Sequence, residues 1–75
     1  MPTIVRFGNI IMFMNYVDHN PPHVHLLGPD VSCLLAIRDG QLLEGFITNK
    51  ALKIAQKYIT ENRSKLMELW DRYQK

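Results

Sequence analysis

The sequence predicts an α+β domain: a small antiparallel β-meander of four to five strands, followed by two C-terminal helices (or one long helix) packed on the sheet. Three observations predict it. Residues 3–46 break into short apolar, β-branched-rich runs parted by turn signals. The connections between these runs are too short for the crossovers that parallel neighbours need. From Thr48 onward, apolar residues recur with a 3.6-residue period instead. The 75 residues read as one domain, with the meander over 1–46 and a helical part over 47–75.

The elements follow in order. Thr3 to Phe7 is a β-branched-rich first strand, and Gly8-Asn9 is a turn. Ile10 to Tyr16 is a second strand, with Ile10, Met12 and Met14 on one face and Ile11, Phe13 and Asn15 on the other. His23 to Leu27 follows a Pro-Pro pair and stops at Gly28-Pro29-Asp30, a strong turn signal. Val31 to Arg38 is a further strand, buried on at least one side. Asp39-Gly40 then predicts a two-residue hairpin of type I′, with positive φ at both positions. Gln41 to Phe46 returns as the last strand. In the helical part Thr48 is the expected N-cap, its hydroxyl accepting a free N–H of the first turn. Leu52, Ala55, Tyr58 and Ile59 form one apolar stripe, and Leu66, Leu69, Trp70 and Tyr73 form another. Thr60 or Asn62 between them is placed to cap a second helix, so two helices are preferred over one long one.

Composition bounds the function. The hydrophobic fraction is 47% and the charged fraction 21%, which argues against disorder. The single cysteine, Cys33, excludes an internal disulfide framework and a thiolate zinc cluster. No apolar run approaches the ~20 residues that span a bilayer. Met1-Pro2-Thr3 lacks a basic region followed by a long apolar stretch, so no secretion signal is expected and the cytoplasm is the expected location. A chain this short buries only about 60% of its unfolded surface. Little room is left for a large pocket, and a cognate protein or a second copy becomes an expected partner.

The net charge of +2 conceals an asymmetry. In residues 1–46, Arg6 and Arg38 stand against Asp18, Asp30, Asp39 and Glu44, a net −2. Residues 47–75 carry a net +4, from seven lysines and arginines against Glu61, Glu68 and Asp71. Such a basic half suits a polyanion, RNA or DNA, and equally the solvated face of an amphipathic helix. The candidate nucleic-acid contacts are Arg6, Arg38, Lys50, Lys53 and Lys57.

The segment Asp18-His19-Asn20-Pro21-Pro22-His23-Val24-His25 holds all three histidines. The diproline has no N–H to give to a sheet and stiffens the approach to the next strand. His23 and His25 lie two apart on that strand, so they share a face, about 6–7 Å apart along it, while Val24 points the other way. Asp18 and His19 are available from the loop. Three uses fit. Two imidazoles can serve as base and acid on one reacting group, as in cleavage of RNA through its 2′-hydroxyl, with Arg6 or Arg38 holding the phosphate. Alternatively, His19, His23 and His25 can ligate zinc or another divalent metal, with Asp18 as ligand or orienting partner. In the third use the rings only cap loop carbonyls or meet a partner. Cys33 reads as a small buried hydrophobe. Glu44 reads as a solvent-facing strand residue, Trp70 and Tyr73 as core or interface anchors, and Met12 and Met14 as core filler.

The chain resembles the small bacterial domain-of-unknown-function family 4160. The resemblance lies in Met1-Pro2-Thr3-Ile4, the Asp18–His25 segment, Leu43-Glu44-Gly45, and the run from Glu61-Asn62-Arg63 through Leu66 to Leu69-Trp70. Two positions depart from it. Asn49 stands where that family often has proline, and Ala51 where it often has an acidic residue. The resemblance implies no settled activity. It implies a bacterial protein often encoded beside another small protein, in an arrangement similar to toxin–antitoxin pairs. The resulting expectation is a toxin–antitoxin-type component that binds or cleaves nucleic acid, RNA before DNA. The alternatives are a histidine-based metal module or small metalloenzyme, and a non-enzymatic interaction domain.

Overall fold

The computed structural model of the protein describes residues 2–74. Five strands come first: β1 (Thr3–Phe7), β2 (Ile10–Phe13), β3 (His23–Gly28), β4 (Val31–Ala36) and β5 (Leu42–Phe46). Two helices follow, α1 (Asn49–Glu61) and α2 (Arg63–Tyr73). The sheet has the order β1-β2-β3-β4-β5, every neighbour antiparallel. The α+β meander read from the sequence is thus the fold. Among the described residues no helix is long and apolar enough to cross a membrane.

Strand alternation divides the sheet into two faces. Met12, Val24, Leu26, Val31, Cys33 and Leu35 turn to one face and are buried there. Ala51, Ala55, Ile59, Leu66 and Trp70 of the helices close the same core. Burying each such leucine or isoleucine contributes about 1.5–3 kcal/mol. Cys33 belongs to this core, and its burial pushes the thiol pKa up, which keeps it an inert hydrophobe.

Thr48 caps α1 as expected, its hydroxyl accepting the Ala51 N–H at 3.2 Å. The two-helix alternative holds, and the break falls at Asn62. Its side chain does not cap α2, however. Asn62 Nδ2 instead donates to the Tyr58 carbonyl at 2.9 Å, closing the end of α1. An amide can donate as well as accept, and here the free carbonyls of α1 claim the donor.

The turn at Asp39-Gly40 differs from the predicted type I′ hairpin. Gly40 has a φ of 73°, whereas Asp39 is not in the left-handed region. The Gly40 N–H donates to the Ala36 carbonyl at 2.8 Å, and the Ala36 N–H to the Gln41 carbonyl at 2.9 Å, which makes a longer loop. The reason is Ile37, which is fully buried. A two-residue turn would hold Ile37 in the ladder, and the longer loop lets it enter the core. Its backbone is claimed on both sides: the N–H donates to the Pro22 carbonyl at 3.1 Å, and the carbonyl accepts Arg63 Nε at 2.9 Å.

β5 is bulged at Leu43, since Leu34 pairs with Glu44 and Leu35 with Leu42. Gly45 next to it has a φ of 93°, and a Cβ there would clash with the Ser32 carbonyl oxygen. Gly45→Ala should therefore destabilise the fold by about 2–4 kcal/mol, through strain and clash together. Urea unfolding followed by circular dichroism checks this, and an unchanged midpoint would contradict the geometry.

Candidate functional site

The site lies where β3 begins. β2 ends at Phe13, earlier than the predicted Tyr16, and the chain leaves the sheet as a loop over residues 14–22. Leaving early lets the loop fold back over the first residues of β3. It is tied down by α2: the Val17 N–H donates to the Tyr73 carbonyl at 2.9 Å, and the Asp18 N–H donates to Gln74 Oε1. Tyr16 meets Tyr73 edge to face, with ring centroids 5.1 Å apart. Val17 has a φ of 50° and is 76% exposed. A β-branched residue in that region costs about 1–3 kcal/mol. No packing offsets the strain, and the residue it positions is Asp18.

Asp18 Oδ2 lies 3.0 Å from Nε2 of His23 and 3.0 Å from Nε2 of His25. These two rings share the face that strand alternation assigns them, with centroids 5.0 Å apart. Val24 between them is fully buried on the core side. His23 is 2% exposed and lies against Trp70, centroids 5.1 Å apart. His25 stacks on Phe13 at 4.9 Å. His23 Nδ1 donates to the Pro21 carbonyl at 2.8 Å. Asn15 Nδ2 lies 3.3 Å from His25 Nε2. One ligand atom from each of Asp18, His23 and His25 falls within 4.8 Å of the others, the spacing of a metal-ligand set.

A family model described as "Domain of unknown function (DUF4160)" matches residues 8–71. The chain belongs to that family. The match spans the loop, β2 to β5 and α1, and reaches Asp71 of α2. No curated protein and no solved structure matches the chain.

The remaining sequence candidates take other places. His19 is outside the converging set: its side chain is 89% exposed, with Nδ1 3.2 Å from Asp18 Oδ1. Its backbone N–H donates to the same oxygen at 2.9 Å. Asp18, treated from sequence as an orienting group as readily as a ligand, supplies the third converging atom. Arg6 is exposed on β1 and Arg38 in the turn after β4, and neither makes an ion pair or hydrogen bond with the histidines. Lys50, Lys53 and Lys57 are exposed along α1. Glu44 is exposed on β5 as expected, Trp70 is core, and Met12 and Met14 are fully buried. Sequence reasoning missed Asn15, the Pro21 carbonyl, Gln74 and the strained Val17. Gln74 Nε2 is buried without a hydrogen-bond partner.

Burial raises the Asp18 pKa, but the hydrogen bonds from His25 and the His19 backbone, with the charge of His23, outweigh it. The net effect holds the carboxyl below its ordinary 3.8. A depressed carboxylate stabilises the fold fully above the unfolded value and loses that contribution as pH falls through the folded one. In metal-free protein, Asp18→Asn should therefore cost about 1–3 kcal/mol at neutral pH. The gap between wild type and variant should close as pH drops below 3.8. Urea midpoints across that range check it, and a pH-independent gap would refute it.

Proposed function

We propose that the protein is a small metal-binding module in which Asp18, His23 and His25 hold one divalent cation, zinc or another. One observation carries this reading. A carbonyl oxygen only accepts, so the Pro21 contact places the hydrogen of neutral His23 on Nδ1. Nε2 of that ring is then a bare lone pair, 3.0 Å from a carboxylate oxygen with no proton of its own. Two lone pairs held that close need positive charge between them, either a proton on the ring or a metal ion. A second imidazole nitrogen, from His25, approaches the same oxygen at 3.0 Å. An imidazole whose Nδ1 is bonded to a backbone carbonyl while Nε2 faces the site is the usual arrangement of a metal ligand.

The distances suit an ion. Two donor atoms 3.0 Å apart subtend roughly 90° at a cation about 2.1 Å from each. Two imidazoles and one carboxylate form a known ligand set for zinc and for non-haem iron, with coordination positions left open. Such an ion, held by Asp18, His23 and His25, would supply Lewis acidity and would lower the pKa of a bound water. It would also fasten the 14–22 loop to the sheet, so that binding free energy adds to folding free energy.

A second reading concerns polyanions, in the bacterial, cytoplasmic toxin–antitoxin setting that the family resemblance suggested. It rests on Lys50, Lys53 and Lys57, exposed at helical spacing on one side of α1. A stripe of this kind suits the RNA backbone. Replacing all three by glutamine should weaken RNA retention and reduce its salt slope by about 2. Filter binding across salt concentrations measures it, and unchanged retention and slope would remove the reading.

The metal is tested on protein purified without an affinity tag. Elemental analysis should find about one divalent ion per chain. After chelation, restoring zinc to a hundredfold excess over Kd should raise Tm by about 10–20 °C. His25→Gln and Asp18→Asn should abolish that gain while leaving the metal-free fold intact by circular dichroism. Protein with no stoichiometric metal and no thermal response to zinc, manganese or iron(II) would end the proposal.

A further inference from the structure

The helices cover one face of the sheet, and the other face has no cover of its own beyond the end under the 14–22 loop. The strand registers align its side chains in two rows. One row runs Arg6, Ile11, Leu27, Ser32, Phe46. The next runs Phe13, His25, Leu34, Glu44. Leu27 is 47% exposed and Phe46 60% exposed. An apolar surface of this kind on so small a domain marks an interaction site. Its charges are arranged at the two margins, with the cation Arg6 on edge strand β1 and the anion Glu44 on edge strand β5.

We infer that this face is the dimer interface of the protein, and that its occupant is a second copy of the same chain, packed face to face. The charge pattern selects the geometry. A two-fold axis running along the central strand β3 places β1 of each protomer over β5 of its partner. Arg6 then lies over Phe46 of the partner subunit, with Glu44 of the partner subunit one row away, about 6–7 Å along the strand and within reach of a guanidinium. Leu27 sits at the axis and meets its own copy. The two ends of the face thus neutralise each other, which no contact within one chain achieves. The alternative of edge pairing through β5 is disfavoured. The bulge at Leu43 and the φ of 93° at Gly45 break the flat ladder that a second strand needs.

His25 of the second row also belongs to the proposed metal site, but the four residues that test the interface, Arg6, Leu27, Glu44 and Phe46, lie outside that set. Sedimentation equilibrium on the intact chain tests it. Wild-type protein should show twice the 8.8 kDa monomer mass. Leu27→Asp should give monomers with unchanged circular dichroism, and Phe46→Ser serves as the second variant if Leu27→Asp fails to fold. Arg6→Glu and Glu44→Arg should each raise the dimer dissociation constant roughly tenfold or more, and the double exchange should restore it. A wild type that stays monomeric would overturn the proposal. A dimer insensitive to Leu27→Asp, or a double exchange that fails to restore association, would overturn it as well.

Discussion

The arrangement depends on one carboxylate. Asp18 Oδ2 receives two imidazole nitrogens at 3.0 Å, and its other oxygen takes the His19 N–H. Through these contacts a loop that leaves the sheet at Phe13 is drawn back onto the start of the neighbouring strand, β3. The C-terminal turn of α2 holds the same loop from the other side, through the Tyr73 carbonyl and the Gln74 amide. Sheet, loop and final helix therefore meet at one buried, charged point. A partly buried carboxylate costs free energy unless its lone pairs are satisfied. Here the His19 N–H and the two imidazole Nε2 atoms face it, while His23 Nδ1 is spent on the Pro21 carbonyl.

Among the described residues, Val17 and Asp30 are the non-glycine residues at positive φ, and an aspartate tolerates that region better than a β-branched valine does. Val17 takes a left-handed conformation that its β-branched side chain disfavours, and it gains no burial in return. Local strain that persists in a domain of marginal stability is held there by its surroundings. The bond to the Tyr73 carbonyl and the grip of the two histidines on Asp18 supply that hold. Elsewhere the chain resolves its conflicts by adjusting local structure. The turn after β4 lengthens so that Ile37 can enter the core, and β5 bulges where Gly45 passes close to Ser32.

A domain of this size has one core and one protected face. The helices spend their apolar stripes on that core, which leaves the opposite sheet face and the loop as the surfaces available for function. Asp18, His23 and His25 converge at the junction between the two, with His23 against core Trp70 and His25 stacked on Phe13. Site and surface are thus linked through β3, and a partner on the sheet face would lie beside the site.

Much of this was legible in the sequence, and the division is physical. Local periodicity determined the meander, the helical half, the Thr48 cap and the shared face of His23 and His25, because each depends on residues a few positions apart. Val24 pointed into the core for the same reason. The tertiary structure alone decided which groups meet the two imidazoles. Asp18 converges on them and His19 does not, because the fold of the loop is set by Tyr73 and Gln74, far away in the chain. The Pro21 carbonyl that directs His23 Nδ1, the turn shape demanded by buried Ile37, and the use of Asn62 as a donor to α1 are likewise outcomes of packing. Spacing along the chain specifies which side a residue faces. Only the packed structure specifies what it faces.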